Sequence, residues 1–357
     1  MGENRPQTLN EKSSLMVQVL ERNNLMQALK QVTRNKGSAG IDGMQIEDLP
    51  AYLKDNWLII KEQIETGSYR SQGVLRVEIP KPNGGKRKLG IPTVIDRLIQ
   101  QAITQVLSPI FEAQFHHHSY GFRPKRNAKQ AIYQVQRDIK QGRTWVVDLD
   151  LEAFFDRVNH DRLMQKLKVD LNAPDLLRLI NRYLKAGTRI NGQEKKTTEG
   201  VPQGSPLSPL LSNIVLNELD WELEKRGHTF ARYADDCQIY VSSQRAGERV
   251  KQSISKFIDK ILRLKINENK SAVARPWGRK FLGFTFSARR GYKIKVSDIA
   301  LEKLKATVRT LCRRTRGHSV FQIIAELRKT LLGWTDFCSC KICISTIPGG
   351  QSVFWHS

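Results

Sequence analysis

The stretch that most constrains the fold of this chain is residues 230–241, which read Phe-Ala-Arg-Tyr-Ala-Asp-Asp-Cys-Gln-Ile-Tyr-Val. Short runs of apolar, aromatic and β-branched residues flank Asp235 and Asp236, which is the pattern of a β-hairpin with two carboxylates at its tip. Adjacent carboxylates repel each other, so they are tolerated either in water or beside a divalent cation. The stretch predicts an acidic hairpin and leaves both interpretations open.

Two other segments favour the metal interpretation. Residues 144–151 form an apolar strand interrupted by acids, which predicts a carboxylate at the rim of a sheet. Residues 199–209 form a loop dense in Gly and Pro that opens a long amphipathic run. The two acidic segments are 85 residues apart (235 − 150), so only a folded sheet can unite them.

The charge of the chain favours a polyanionic partner. The 357 residues include 59 Lys and Arg against 35 Asp and Glu, for a net charge of +24. Basic residues are spread along the chain, which favours a groove that follows nucleic-acid phosphates over an anionic membrane surface. No apolar run approaches the length of a membrane-spanning helix, and five Cys without framework spacing predict a reducing, cytoplasmic compartment.

Three motifs in combination resemble the palm of reverse transcriptases. They are an Asp followed five residues later by an aromatic residue, a Pro-Gln-Gly loop at 202–204, and Tyr-Ala-Asp-Asp at 233–236. The chain is similar to group II intron-type reverse transcriptases and their bacterial relatives over roughly residues 35–334. This resemblance implies an α+β right-hand polymerase with fingers, an antiparallel palm sheet backed by helices, and a helical thumb.

The same resemblance divides the chain into four expected segments. They are an N-terminal extension (1–60), fingers and palm (61–287), a thumb that begins the maturase domain (295–336), and an aberrant tail (337–357). Residues 301–316 and 320–334 are amphipathic and basic, and their Arg309 and Arg313 are expected to grip a duplex backbone. We expect that truncation or a frameshift replaced the rest of the maturase domain, which argues against splicing and DNA integration.

The resemblance also selects the metal ligands. Five residues after Asp150 comes Phe155, whereas no aromatic lies five residues after Asp148. The family spacing therefore assigns Asp150 to the metal and gives Asp148 a structural role on the strand. Asp150, Asp235 and Asp236 would hold two Mg²⁺ ions, for which Mn²⁺ can substitute, and so form the catalytic site.

Four residues are implied to bind the incoming nucleotide. Lys81 and Arg87 belong to a basic hairpin that closes on the triphosphate in the family, although such charge runs are also common as exposed turns. Phe155 would be the steric gate that excludes a 2′-hydroxyl, the alternative being a core Phe. Gln203 would lie near the nascent base pair.

Four more residues are expected at the template or primer. A capping box at residues 93–96 predicts the start of a helix. Arg97 lies outside the apolar stripe of this helix, so it could face the template. Gly204 would permit close backbone approach, and Lys270 resembles a palm-supporting lysine. Gly283, at the centre of a predicted strand, would help to hold the primer end.

The segment at residues 115–124 allows fewer conclusions. It contains three consecutive His, but adjacent side chains are expected to diverge and no Cys or acid lies at ligand spacing, so a zinc site is not predicted. Residues 119–124, Ser-Tyr-Gly-Phe-Arg-Pro, match a family motif between fingers and palm. Within it, Arg123 could hold either a phosphate or a structural carboxylate.

The function that the resemblance implies is an RNA-directed DNA polymerase, a nucleotidyltransferase. Its expected partners are an RNA template (intron RNA among the candidates), a DNA primer and dNTPs, with no membrane. The alternatives are an RNA-binding maturase remnant without polymerase activity, an RNA-directed RNA polymerase, and a domesticated reverse transcriptase. The bulky Phe155 and the Tyr-Ala-Asp-Asp context favour DNA synthesis over RNA synthesis.

Overall fold

The computed structural model describes residues 14–80, 86–190, 193–195, 197–289 and 291–338. These residues form a mixed α and β structure. The helices, in chain order, are α1 (Ser14–Val19), α2 (Arg22–Asn35), α3 (Leu49–Thr66), α4 (Val94–Glu112), α5 (Ala128–Lys140), α6 (Phe154–Arg157), α7 (His160–Asp170), α8 (Pro174–Lys185), α9 (Ser208–Lys225), α10 (Gln244–Phe257), α11 (Asp298–Leu311) and α12 (Val320–Cys338). The strands are β1 (Val74–Pro80), β2 (Lys86–Ile91), β3 (Trp145–Leu149), β4 (Thr188–Ile190), β5 (Gln193–Lys195), β6 (Thr229–Tyr233), β7 (Asp236–Val241), β8 (Ala272–Ala274), β9 (Phe284–Phe286) and β10 (Ile294–Val296).

The chain folds into two compact units, each assembled from three separate stretches. The first unit contains Met1–His116, Glu152–Glu218 and Ile258–Lys265. The second contains His117–Leu151, Leu219–Phe257 and Ile266–Ser357. The four segments expected from the sequence are consecutive ranges of the chain, and that division stays a prediction.

The first unit joins a helical layer to a four-stranded sheet of order β2-β1-β4-β5. Its central helix is α4, and the capping box predicted there forms in part, because the Thr93 side chain accepts a hydrogen bond from the Asp96 backbone N–H at 3.2 Å. Helix α2 packs on α4, and Asn24 Nδ2 donates to the Ala102 carbonyl at 3.1 Å. The apolar positions that the sequence period predicts between Ile95 and Ile103 are buried, and residues 94–100 are buried on every side of α4.

The second unit is built on an antiparallel sheet of order β6-β7-β3-β8. Helix α10 covers one face, where a Cβ added at Gly247 would lie only 2.5 Å from Val273 Cγ1. Helix α5 and the β9-β10 hairpin cover the other face, and their core includes Val146 and Tyr240, which are register partners. Since both faces of the sheet are covered, β3 and β7 are apolar on both sides except where acids interrupt them.

A tight turn lies where the sequence predicted the middle of a strand. Leu282 and Gly283 have φ values of 51° and 82°, and Phe281 and Phe284 exchange backbone hydrogen bonds of 2.8 and 2.9 Å around them. Two successive residues with positive φ define a two-residue hairpin turn, which requires a permissive residue such as Gly. The prediction that Gly283 lies at a strand centre is wrong, because it lies in the turn that precedes β9.

The two C-terminal segments are helical, as predicted, but Val320, Ile324 and Leu331 of the second predicted stripe are exposed. Ser297 caps α11 by accepting from the Ala300 N–H at 3.3 Å, and α12 contacts α11. Trp334 of α12 packs against the core of the second unit. Helix α12 continues to Cys338, and the rest of the expected tail lies outside the described residues. Within the described part of the chain, no helix is both long and apolar enough to cross a bilayer.

A buried carboxyl group in α5 makes the stability of this fold depend on pH. Asp138 is 2% exposed, and Gln134 Nε2 donates to its Oδ1 at 2.9 Å. Its Oδ2 finds no hydrogen-bond partner among the described residues. Burial raises the pKa of Asp138 to about 7, while the nearby charge of Arg143 acts in the opposite direction. The folded protein therefore binds a proton at a pH where the unfolded chain has released it.

We predict that Asp138→Asn flattens this pH dependence. In the wild type, the free energy of unfolding should fall by up to about 1.4 kcal/mol per pH unit between about pH 4 and pH 7 from this group alone. Urea denaturation at about pH 5 and about pH 8 would measure the difference, with Asp161→Asn, an exposed carboxylate on α7, as the control. Equal pH dependence in Asp138→Asn and wild type would contradict the prediction.

Candidate functional site

The acidic hairpin forms as predicted, with its two carboxylates at distinct places in the turn. Tyr233 pairs with Asp236 across β6 and β7, so Ala234 and Asp235 form the loop and Asp236 opens β7. Ala234 has a φ of 57°, a left-handed conformation that is uncommon for a residue with a Cβ. The turn therefore presents two consecutive carboxylates from a strained backbone.

Strand β3 brings the second acidic segment beside this hairpin. Asp148 of β3 pairs with Gln238 of β7, and Leu149 pairs with Cys237. Asp150 comes directly after β3, and Asp236 is the first residue of β7, so the two residues lie at the same end of this strand pair. The backbone of Asp150 is held on both sides, since its N–H donates to Ser271 Oγ at 3.0 Å and its carbonyl accepts from the Asn267 N–H at 2.8 Å. Antiparallel register thus unites residues that are far apart in sequence.

Asp148 is held by protein donors. Arg279 Nη2 and Nε lie 2.6 and 2.8 Å from Asp148 Oδ2, and Gln238 Nε2 donates to Oδ1 at 3.1 Å. The Tyr240 hydroxyl donates to Gln238 Oε1 at 2.5 Å and fixes the amide in this orientation. Charge-assisted hydrogen bonds of this kind hold the Asp148 carboxylate toward Arg279.

Asp150 forms a longer ion-pair contact. Lys270 Nζ lies 3.8 Å from Asp150 Oδ2, and both side chains retain substantial solvent access. A contact of this length between exposed groups is weak. The Asp150 side chain is 37% exposed and that of Asp148 is 22% exposed. The assignment of Asp150 to the metal stays a prediction.

The carboxylates of this cluster repel one another. The pKa of Asp236 is raised to about 6, first by partial desolvation and then by the charges of Asp235, Asp148 and Asp150, while Lys280 opposes the shift. The Asp236 side chain still reaches solvent, so the shift reflects crowding by protein atoms on its other sides. Oxygen ligands that repel each other in this way fit a hard divalent cation, which would neutralise them.

Comparison with known proteins identifies the family to which this site belongs. Residues 79–286, more than half of the chain, match the family model described as reverse transcriptase (RNA-dependent DNA polymerase). The chain belongs to this family. Within it, the relatives indicate the group II intron type, so the resemblance found in the sequence and the α+β fold are confirmed.

Three relatives illustrate how much of the chain is shared. Protein YkfC of Escherichia coli is 32% identical over 325 residues, which cover 79% of this chain and 85% of that protein. Group II intron-encoded protein LtrA of Lactococcus lactis is 37% identical over 54% of this chain, but the match spans only 32% of LtrA. The COX1/OXI3 intron 2 protein of Saccharomyces cerevisiae is 30% identical over 75% of this chain and 30% of its own length.

The Pro-Gln-Gly loop of this reverse transcriptase lies in the first unit, where hydrogen bonds hold it in place. The Val201 N–H donates to the Phe155 carbonyl at 2.6 Å, and the Gly90 N–H donates to the Gln203 carbonyl at 2.7 Å. Gly204 has a φ of 111°, and an added Cβ would lie 3.2 Å from the Gly90 carbonyl oxygen. The structure therefore brings Phe155, Gln203 and Gly204 close to the end of β2.

The predicted nucleotide ligands Phe155 and Arg87 lie on different elements. Phe155 is half-buried and meets the buried Phe154 edge to face, with ring centroids 5.2 Å apart, so Phe154 rather than Phe155 is the core residue. Arg87 is exposed on β2, where it pairs with Ile79 of β1. Lys81 lies outside the described residues.

Arg97 does not lie on an exposed face of α4, as its place off the apolar stripe suggested. It is 7% exposed, and its Nη2 donates to the Ser38 carbonyl at 2.6 Å. Gln100 is also buried and hydrogen-bonds Ser205. The expectation of exposure is wrong because connecting loops cover the polar side of α4, and a helical period carries no information about such loops.

The other predicted contacts are distributed within the second unit. Arg309 of α11 and Arg313 just after it are exposed. Arg123 is buried and donates to the Ser119 carbonyl at 2.8 Å. The rings of His117 and His118 lie 4.1 Å apart, so the expectation that these neighbouring side chains diverge is wrong.

The contacts of Asp148 and Asp150 predict that an Asp→Asn substitution lowers the free energy of unfolding by different amounts at the two positions. Asp148→Asn should lower the free energy of unfolding by about 1–3 kcal/mol, because it leaves Arg279 without its charged partner. Asp150→Asn should cost less stability than Asp148→Asn, because its 3.8 Å contact with Lys270 joins two side chains with substantial solvent access. Chemical denaturation of both variants at neutral pH measures this, and equal losses in the two would contradict the assignment.

Proposed function

We propose that this protein extends a DNA primer on an RNA template, with Asp150, Asp235 and Asp236 as its metal ligands and Asp148 as a structural carboxylate. The observation that carries the proposal is the β3-β7 register, which sets Asp150 beside the Asp235-Asp236 turn. The family to which the chain belongs, its net charge of +24 and the raised pKa of Asp236 support the same function.

The cofactor of choice is Mg²⁺, with Mn²⁺ as its substitute, because all the proposed ligands are carboxylate oxygens. When bound, a pair of such ions lowers the pKa of the attacking 3′-hydroxyl and stabilises the leaving pyrophosphate. The residues of the chain prepare the site for this. Arg279 draws the Asp148 carboxylate away, and Lys270 offsets part of the charge of Asp150.

The nucleotide side of the proposal rests on the first unit. Lys81 and Arg87 would bind the triphosphate through charge, and Arg87 is exposed on β2. The half-buried ring of Phe155 would lie under the sugar and leave no room for a 2′-hydroxyl. Gln203 and Gly204 would contact the nascent pair, since the positive φ of Gly204 lets the backbone approach closely.

The nucleic-acid side rests on the second unit. Arg309 and Arg313 would bind backbone phosphates from the exposed surface of α11 and its C-terminus, which we propose to be the thumb. Gly283 would let the turn before β9 approach the primer end. The template would be RNA, with intron RNA as the first candidate in view of the group II intron relatives.

Primer extension tests the proposed chemistry. Wild type should extend a DNA primer on an RNA template with dNTPs and Mg²⁺, and poorly with rNTPs. Asp235→Ala should lose at least about 100-fold in rate, since metal stabilisation of the transition state is worth several kcal/mol. Absence of extension by folded wild type that still binds RNA would overturn the proposal and favour a maturase remnant.

A second substitution tests the choice of sugar. Phe155→Ala should increase incorporation of rNTPs relative to dNTPs by about tenfold or more, because it removes the bulk proposed to exclude the 2′-hydroxyl. Phe154→Ala is the matched control, since it removes the neighbouring ring that is buried in the core. Unchanged sugar selectivity in Phe155→Ala would reject the steric gate without affecting the metal-site assignment.

A further inference from the structure

A fully buried ion pair lies beneath the acidic turn. Arg232 of β6 and Asp220 of α9 are both 0% exposed. Arg232 Nε donates to Asp220 Oδ1 at 2.7 Å, and Nη2 donates to Oδ2 at 2.6 Å, so the two groups form a bidentate pair. Burying two charges is costly, and apolar residues of similar volume often give equal or greater stability. Stability alone therefore explains this pair poorly.

Arg232 also donates to the turn and to Ser119. Nη1 donates to the carbonyl of Ala234 at 2.8 Å, and Nη2 donates to Ser119 Oγ at 2.8 Å. Ala234 is the residue with positive φ immediately before Asp235, and it is buried. A residue in this conformation persists only when its surroundings fix it. The guanidinium provides that constraint at the peptide that leads into Asp235.

The Ser-Tyr-Gly segment of the sequence motif closes over the same turn. The Tyr120 N–H donates to the Arg232 carbonyl at 2.9 Å, and the Arg232 N–H donates to the His118 carbonyl at 3.0 Å. A Cβ at Gly121 would lie 2.3 Å from the Ala234 nitrogen, so only Gly fits there. The segment thus pairs with the outer edge of β6 and packs on the backbone of the turn.

The ion pair and the carboxylates lie on opposite faces of the sheet. Arg232 pairs with Cys237, whereas the partner of Asp148 is Gln238 and the next residue on that face of β7 is Asp236. Side chains alternate between faces along a strand, so Arg232 points away from Asp236. Any influence of Arg232 on the acidic cluster must therefore pass through the turn backbone.

We propose that Arg232, held by Asp220 and Ser119, is a positioning residue that fixes the Ala234-Asp235 peptide and thereby the geometry of the two turn carboxylates. This inference rests on the proposed polymerase function. It assigns the Ser-Tyr-Gly motif a role at the active site as the cover of the turn. The rigid fork of the guanidinium, with donors to three groups at once, performs a task that a Lys ammonium cannot reproduce.

The test compares Arg232→Lys, Ser119→Ala and the double variant Asp220→Leu/Arg232→Met, which replaces the pair by apolar side chains. Two quantities are measured: the kcat and KM for dNTP in primer extension, and hydrogen exchange of metal-free protein over residues 229–241. Ile254→Val, a core change in α10, controls for lost stability. Arg226→Lys, in the partly exposed Arg226–Glu222 pair at the C-terminal end of α9, controls for loss of a guanidinium.

We expect kcat to fall by about tenfold to 100-fold in Arg232→Lys and the double variant, because displacements of about 1 Å at a reacting centre have effects of that size. The KM for dNTP should change less than about twofold, because misplaced metal ligands affect the transition state more than the binding of the nucleotide. Exchange over residues 229–241 should accelerate while that of α5 stays unchanged. Ser119→Ala should show a smaller loss of kcat and a smaller acceleration of exchange. The controls Ile254→Val and Arg226→Lys should match wild type in both quantities.

Normal kcat and normal exchange of the turn in folded Arg232→Lys or in the double variant would overturn the inference. If neither variant folds, Ser119→Ala decides, because it leaves the ion pair intact and removes one hydrogen bond. The inference fails if Ser119→Ala has the kcat of wild type and the same hydrogen exchange over residues 229–241. An inactive wild type would reject the proposed function instead, and the exchange measurement would still decide whether Arg232 fixes the turn.

Discussion

The antiparallel pairing of β3 with β7 is the constraint on which the rest of this structure depends. The register of Asp148 with Gln238 and of Leu149 with Cys237 brings two acidic segments to one end of one sheet. A slip of one residue would turn every side chain of β3 to the opposite face. Because α10 packs on one side and α5 with β9-β10 on the other, such a slip would also take Asp148 from the face that it shares with Gln238.

This arrangement concentrates negative charge, and the protein compensates the charge of each carboxylate to a different extent. Asp148 has its charge compensated by Arg279 and Gln238. The pKa of Asp236 is raised, and Lys270 Nζ lies 3.8 Å from Asp150 Oδ2. Folding energy from the core thus holds several carboxylates together at one end of the sheet. A divalent cation would complete the neutralisation, so affinity for the metal and strain in the metal-free site have the same origin.

The resemblance to reverse transcriptases predicted the α+β fold, and its spacing assigns Asp150 rather than Asp148 to the metal, which stays a prediction. Local sequence patterns predicted the acidic hairpin, because alternation and turn composition act over a few residues. They failed where distant segments meet. Nothing near Arg279 in the sequence indicates that it contacts Asp148. The ion pair of Arg232 with Asp220 joins a strand to a helix, and the hydrophobic period of neither element predicts such a contact.

Two errors have specific physical causes. Arg97 was assigned to an exposed face because helical period ignores the loop that contributes Ser38, whose carbonyl accepts its hydrogen bond. Gly283 was placed inside a strand because the adjacent Leu282 is apolar, and apolar residues seldom adopt the positive φ that Leu282 has in this turn.

Metal binding tests the central claim most directly, since it asks whether Asp150 and Asp236 belong to one site. Mn²⁺ titration followed by electron paramagnetic resonance at about pH 7.5, above the raised pKa of Asp236, would compare wild type, Asp150→Asn, Asp236→Asn and the double variant. The account predicts that each single substitution weakens binding by about tenfold or more and that the double variant is little weaker than either, because groups that share a ligand are not additive. Independent, additive losses, or no loss in either single variant, would contradict it.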